Sequence, residues 1–166
     1  TKPLNAGKVR EFSNAIAYAP NAEAFVIRDV ATLKAFGEQA ATLEKNALVV
    51  ADIDMTGVTI EKPIHFWNGR TTFDGQDYTI SNLTMSTTST EKKPFGLFGG
   101  TADIKNVKFD KANISGYSYV AVVAGNLYGN IENCHVSNSS VTCTYWMAGA
   151  MSGQYRSEER RVGKEC

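Results

Sequence analysis

The side chains best suited to chemistry in this sequence are two histidines and several closely spaced carboxylates. His65 and His135 lie far apart in the sequence, and neither belongs to a cluster with metal-ligand spacing. No Gly-x-Ser-x-Gly sequence marks a nucleophilic serine, and the glycine-rich stretch 95–100 leads into a strand pattern rather than a phosphate-binding helix. We therefore expect both histidines to be surface or turn residues.

The carboxylates offer two candidate pairs. Asp52 and Asp54 share one face of a predicted strand, and Asp74 and Asp77 flank Gly75 in a predicted turn, so either pair could bind calcium or act as acid and base. A polysaccharide-cleaving site would need acidic residues at equivalent positions of successive repeats, and Asp103, Asp110 and Glu132 are not at equivalent positions. We predict that Asp74 and Asp77 are turn formers. We also predict no catalytic, cofactor-binding or metal-binding residues.

Aromatic residues give a stronger indication of binding. Exposed rings on one side of a repeat structure commonly stack on the faces of sugars, although the same rings can instead pack in the core or at corners. Neighbouring residues of a strand point to opposite faces, so at most one ring of each adjacent pair should be exposed. The candidate ligand-stacking residues are Trp67, Tyr117, Tyr119, Tyr145 and Trp146.

A repeated phrase shows which elements must position these rings. Ile-x-Asn followed by alternating apolar residues begins at Ile80, Ile104 and Ile131. A period in the twenties with β-rich segments is typical of a β-solenoid, in which each repeat forms one coil. We expect the asparagines of the phrase to stack at one corner and to bond to one another. These asparagines are Asn82, Asn106 and Asn133.

Glycines recur with a similar period at Gly99, Gly125 and Gly153. We expect them at a second corner that needs positive φ or close backbone approach. The Asn68-Gly69 pair is a hairpin-like turn signal, and the polar stretch 86–93 predicts a surface loop.

The stretch 29–153 resembles the GLUG-type repeat of bacterial secreted and surface-attached proteins. Its Gly-Leu-x-Gly core is spelled out by residues 96–99, and residues 73–83 look like the lead-in found in such proteins from Bacteroidetes. The resemblance implies secretion, a β-helical or β-solenoid stalk and an adhesin-like role. Some members of the family flank a peptidase domain.

We interpret the fold as all-β, a right-handed parallel β-helix or β-solenoid with an N-terminal capping α-helix, truncated at its C-terminus. Asp29 is a good N-cap for an amphipathic helix with apolar residues at Val30, Leu33, Phe36, Ala40 and Leu43. We assign residues 1–28 to a linker or the remnant of a preceding segment, 29–46 to the capping helix and 47–155 to the solenoid. Residues 156–166 resemble a translated sequencing adapter, so we interpret them as an artefactual tail of a metagenomic fragment; a genuine charged tail is the alternative.

Composition excludes several classes of function. The 17 basic and 17 acidic residues give a net charge of zero, so nothing favours binding to nucleic acid, and no apolar run is long enough to span a bilayer. Cys134 and Cys143 either form a disulfide or pack as small apolar residues.

We predict a non-catalytic repeat module, secreted or at the cell surface, that acts as a stalk or adhesin and has surface glycans or host or bacterial proteins as partners. The alternatives are a fragment of a β-helical carbohydrate-active enzyme and an accessory region of a secreted peptidase.

Overall fold

The computed structural model describes residues 24–41 and 45–154, and the side chains of all of these except 67–70 and 153–154. The predictions for residues 1–23, for Leu43 and for the tail 156–166 lie outside the described residues.

The strands form three sheets, and every strand pair within the described residues is parallel. Sheet A contains β1 (Phe25–Ile27), β2 (Ala47–Val49), β5 (Ile64–Asp74), β8 (Phe98–Lys105), β11 (Ala124–Leu127), β12 (Ile131–Glu132) and β15 (Ser152–Gln154). Sheet B contains β3 (Ile53–Asp54), β6 (Thr79–Ser81), β9 (Lys108–Asp110) and β13 (His135–Ser137). Sheet C contains β4 (Thr59–Ile60), β7 (Thr84–Ser86), β10 (Asn113–Ala121) and β14 (Ser140–Gly149).

From β3 onwards the chain visits sheet B, then sheet C, then sheet A, and repeats this order in each coil. Ile53 pairs with Ile80, Ile80 with Phe109, and Phe109 with Val136, so each coil places one of these residues directly beside its counterpart in the next. These four residues are all buried, and alternate residues of each strand fill one continuous core between the three sheets. The predicted β-solenoid is therefore confirmed, with about four turns.

The pairing corrects the phase of one copy of the repeated phrase. Ile80 pairs with Phe109 in sheet B, whereas Ile104 pairs with Phe73 and Ile131 in sheet A. Asn82 therefore ends a strand of sheet B, while Asn106 and Asn133 follow strands of sheet A. The prediction of a single asparagine corner is wrong for Asn82 and confirmed for the other two.

The physical reason is that asparagine tolerates the left-handed conformation needed wherever the chain bends between sheets. The φ values are +56° at Asn82, +55° at Asn106 and +49° at Asn133. Lys111 and Asn138, which occupy the place of Asn82 in the next two coils, have φ values of +55° and +48°. Ile-x-Asn thus marks a type of corner, and it does not identify which of the corners is formed.

The predicted glycine corner is not formed. Gly99, Gly125 and Gly153 lie inside β8, β11 and β15. Glycine is nevertheless required at position 125 by the close approach of another segment, because a Cβ atom there would clash with the backbone of Phe95. The positive φ occurs one residue later than predicted, at Gly100 (+92°). Asn68 and Gly69 also form no turn, since β5 continues through them with a shift of register between Phe66 and Thr71.

The capping helix α1 spans Val30–Gln39. The Asp29 side chain accepts a hydrogen bond from the backbone N–H of Thr32, and the Thr32 side chain accepts one from the backbone N–H of Asp29. The predicted N-cap is therefore confirmed. The helix ends well before residue 46, because α1 is the crossover between parallel strands and the chain must return to place Ala47 beside Phe25. The ring of Phe36 packs against those of Phe66 and Phe73, with centroids 5.8 and 5.9 Å apart. The helix thereby covers the core of the first coil.

Candidate aromatic binding site on sheet C

Three of the predicted stacking residues come together at β14, an edge strand of sheet C. Tyr117 lies in β10, and Tyr145 lies in the neighbouring β14, one coil later. Their ring centroids are 5.0 Å apart with an interplanar angle of 11°, a separation close to the spacing of adjacent strands. The ring centroids of Trp146 and Tyr145 are 6.1 Å apart. With Tyr119, these residues form what we call the aromatic cluster: Tyr117, Tyr119, Tyr145 and Trp146.

The strands are irregular at this site, and β14 is an edge strand of sheet C. The register between β10 and β14 shifts between Gly116 and Ser118, and Tyr119 and Met147 have φ values of +50° and +55°. Tyr145 is 47% exposed and Trp146 is 53% exposed. The prediction that at most one ring of an adjacent pair is exposed is therefore wrong at this site. Trp146 pairs with buried Ser118, but β14 is at the edge of sheet C, so both rings remain accessible.

A cation lies over the cluster. Lys92, in the loop between β7 and β8, places its Nζ atom 4.7 Å from the ring centroid of Tyr145. A hydrogen bond with Tyr145 raises the pKa of Lys92, as do the charge interactions with the Tyr145, Tyr117 and Tyr119 side chains. The predicted surface loop 86–93 is confirmed from residue 87 onwards, since Ser86 ends β7, but its role beside the aromatic residues was missed in the sequence.

The rest of the outer face of sheet C is uncharged at its paired positions. One row contains Thr59, Thr84, Asn113 and Ser140. The next row contains Ser86, Ser115 and Thr142, and it runs alongside the two stacked tyrosines. Within the described part of the chain, the hydroxyls of Thr59, Thr84, Ser86, Ser115 and Thr142 form no hydrogen bond with another side chain or with the backbone.

Other candidate aromatics are placed elsewhere. Trp67 lies in β5, a strand of sheet A, and its side chain lies outside the described residues. Tyr128 follows β11 and is 49% exposed, also away from sheet C. The structure thus brings Tyr117, Tyr145 and Trp146 together, places Tyr119 two residues after Tyr117 in β10, and leaves Trp67 on a different sheet.

The carboxylates are engaged in structural bonds. Asp74 Oδ1 accepts hydrogen bonds from the backbone N–H of Gln76 at 2.9 Å and from Asn106 Nδ2 at 3.0 Å. Asp54 accepts from both the backbone and the hydroxyl of Thr56, and from Asn82. These bonds lower the pKa of Asp54, with the Thr56 hydroxyl as the largest cause. Asp74 is the turn former that its sequence context predicts.

The remaining chemical candidates are separated from one another. His65 lies against Gly99 in sheet A, where burial lowers its pKa, while His135 pairs with Lys108 in sheet B. Among the described residues, no group of three or more histidine, cysteine, aspartate or glutamate side chains is arranged to hold a metal ion.

The two cysteines of the solenoid are free thiols rather than a disulfide. Cys134 is buried, and burial raises its pKa to about 11. Cys143 Sγ donates to the backbone carbonyl groups of Trp146 at 3.0 Å and Tyr117 at 3.2 Å, so it helps to hold the bulge under the aromatic cluster.

Comparison with known proteins gives one partial similarity. The chain is 27% identical over 129 residues to Halomucin from Haloquadratum walsbyi, a match that covers 68% of this chain. The chain spans about 1% of the length of Halomucin. No protein-family model matches the chain, and no solved structure matches it.

None of the helical structure described for the chain is both long and apolar enough to cross a membrane.

Proposed function

We propose that this chain is a non-catalytic repeat module of a secreted or cell-surface protein, and that it binds glycans through the aromatic cluster. The observation that carries this proposal is the exposure of Tyr145 and Trp146 beside stacked Tyr117, on a sheet whose outer rows are uncharged hydroxyl and amide groups. Rings with hydroxyl donors nearby suit the apolar faces and equatorial hydroxyls of sugars.

The parallel sheets supply the rigid support that such a surface needs. Each coil pairs with its neighbours through three sheets, and the carboxamide of Asn133 donates to Asn106 Oδ1 at 2.8 Å along one corner. A surface held by regular strands loses little conformational freedom on binding. This rigidity also suits the role of a stalk, which the GLUG-like repeats favour.

The placement of the acids supports a non-catalytic role. A glycoside-cleaving site needs two carboxyl groups that face one cleft and are available for proton transfer or attack. Asp54 and Asp74 are instead bound to amide and hydroxyl groups at two different corners. The similarity to Halomucin is compatible with an extracellular location.

The experiment measures binding of the purified chain to immobilised polysaccharides, together with the release of reducing ends. We expect binding without release of reducing ends. Tyr145→Ala should lower the affinity about tenfold or more, since loss of one stacking ring costs roughly 1–3 kcal/mol where stacking dominates.

Tyr128→Ala is the matched control, because Tyr128 is as exposed as Tyr145 but lies on another side of the solenoid. Equal loss of affinity in the two variants would place the glycan away from the cluster. The release of new reducing ends would show that the chain is an enzyme and would overturn the non-catalytic assignment.

A further inference from the structure

Lys92 differs from its neighbour in the same loop. Lys93 Nζ pairs with Glu91 at 2.6 Å, so its charge is balanced within the loop. Lys92 forms no ion pair with any of the residues that the structure describes, and it is held instead over the ring of Tyr145. A positioned cation without a carboxylate partner is suited to bind an anionic group from outside.

The surroundings of Lys92 would not repel an anion. Sheet A has Asp74, Lys105 and Glu132 in one registered row, and sheet B has Asp54 and Asp110 in another. The paired outer rows of sheet C contain no charged residue. Ser115 and Thr142, next to the stacked tyrosines, have hydroxyls that can donate to a ligand.

We propose that Lys92 and the aromatic cluster form a binding site for an acidic sugar residue of a polysaccharide. Its anionic group pairs with Lys92, while its ring lies against the surfaces of Tyr145 and Trp146 that Tyr117 and Lys92 leave exposed. This inference rests on the proposed glycan-binding function and adds the class of sugar. The anionic group is a carboxylate or a sulfate ester, since both present oxygens that accept from an ammonium group.

General attraction to polyanions is a poor alternative explanation. The chain has a net charge of zero, so its overall charge does not draw polyanions. Hydrogen bonding to Tyr145 raises the pKa of Lys92, so the ammonium group stays charged throughout the physiological range.

The test measures the affinity of the chain for polygalacturonate, dextran sulfate and neutral dextran at one ionic strength. We expect one acidic polymer to bind more tightly than dextran. Tighter binding of polygalacturonate would identify the anionic group as a carboxylate, and tighter binding of dextran sulfate would identify it as a sulfate ester. Lys92→Gln should lower affinity for that polymer about tenfold, the effect of losing one charge-assisted bond, and Lys92→Arg should retain most of it.

Lys62→Gln is the control, because it removes the same charge from an exposed lysine between β4 and β5. Equal losses in Lys62→Gln and Lys92→Gln would reduce the effect to general charge attraction, and an unaltered affinity in Lys92→Gln would remove Lys92 from the site. If dextran binds as well as the acidic polymers and Tyr145→Ala weakens it, the glycan-binding function stands and the acidic specificity falls. If the unmodified chain binds neither acidic polymer, the acidic-sugar proposal fails, and the glycan-binding function fails with it only if the chain also binds none of the immobilised polysaccharides.

Discussion

The corner formed by Asp74, Asn106 and Asn133 and the aromatic cluster on sheet C arise from the same repeat spacing but use it differently. Asn106 and Asn133 are one coil apart in the sequence, as are Tyr117 and Tyr145, so each pair meets across neighbouring coils. At the corner, the side chains satisfy one another: Asn106 donates to Asp74 and accepts from Asn133. In the cluster, Tyr145 and Trp146 keep about half of their surface in solvent.

The difference shows how one coil geometry can provide both stability and recognition. Polar groups that bond to each other at a corner stabilise the stacking of coils, because breaking one bond leaves its partner unsatisfied. Rings that stack on an outer face contribute less to folding and stay available to a ligand. We therefore expect substitutions at the corner to affect stability, and substitutions in the cluster to affect binding.

Asn106→Ala should have the largest effect. The substitution removes two carboxamide bonds and places alanine at a φ of +55°, so we expect a loss of about 2–3 kcal/mol in the free energy of unfolding. Urea unfolding followed by circular dichroism would measure it. Asn113→Ala, on the outer face of sheet C, should change stability by no more than about 0.5 kcal/mol. Similar losses in both variants would remove the distinction between corner and face.

The cysteines report on the same two regions. Cys134 follows Asn133 and is buried with a pKa of about 11, whereas Cys143 lies under the aromatic cluster and is partly exposed. At pH 8, only about one Cys134 thiol in a thousand is the reactive thiolate. Alkylation of the native protein with iodoacetamide, followed by peptide mass spectrometry, should modify Cys143 at least about tenfold faster. In urea the alkylation rates of Cys134 and Cys143 should converge. Equal alkylation rates without urea would mean that the corner opens readily in the folded protein.

Tyr117→Ala should have a smaller effect on stability. The stacked pair with Tyr145 contributes about 1 kcal/mol, in the range measured for aromatic pairs, and both rings lie on the outer face. Urea unfolding would measure this change, and the same preparation should show weaker binding to glycans. A loss as large as that of Asn106→Ala would mean that the cluster is part of the structural support.

Much of the fold could be predicted because a solenoid repeats its physical constraints in every coil. The period in the twenties identified the coils, and the spacing of Asn106 and Asn133 predicted their contact. Asp29 and the apolar stripe predicted α1, although not its end, which depends on the return of the chain to β1. Asn82 was placed at the wrong corner because the sequence gives the local conformation of asparagine and not the pairing of its strand.

The candidate site could be predicted only in part. The spacing of Tyr117 and Tyr145 equals one coil, so their contact was predictable in principle. The local shift of register beside Tyr117 and Tyr145 has no signal in the sequence, and the exposure of Trp146 depends on the position of β14 at the edge of sheet C. Lys92 lies in a polar loop without periodicity, so only the folded path of the loop reveals that it reaches Tyr145.

The pH dependence of stability should separate a second corner, formed by Asp110, Ser137 and Asn138, from the cluster at opposite ends of the scale, although these effects are the smallest because the charged groups are exposed. The Asn138 side chain, followed by Ser137, lowers the pKa of Asp110 below 3.8 at the corner between sheets B and C. A lowered folded pKa gives stability that is present above pH 3.8 and is lost as the pH falls through the folded value.

The contribution of Lys92 to stability changes with pH in the opposite direction, since its pKa in the folded state is raised above 10.5. Its contribution is fully present below pH 10.5 and is lost as the pH rises through the folded value. Urea unfolding between pH 2 and 5 should therefore show a smaller acid loss in Asp110→Asn, and unfolding between pH 9 and 12 a smaller alkaline loss in Lys92→Gln. Each variant is the control for the other. If Lys92→Gln altered the acid limb, the cluster and the corner at Asp110 would be energetically coupled.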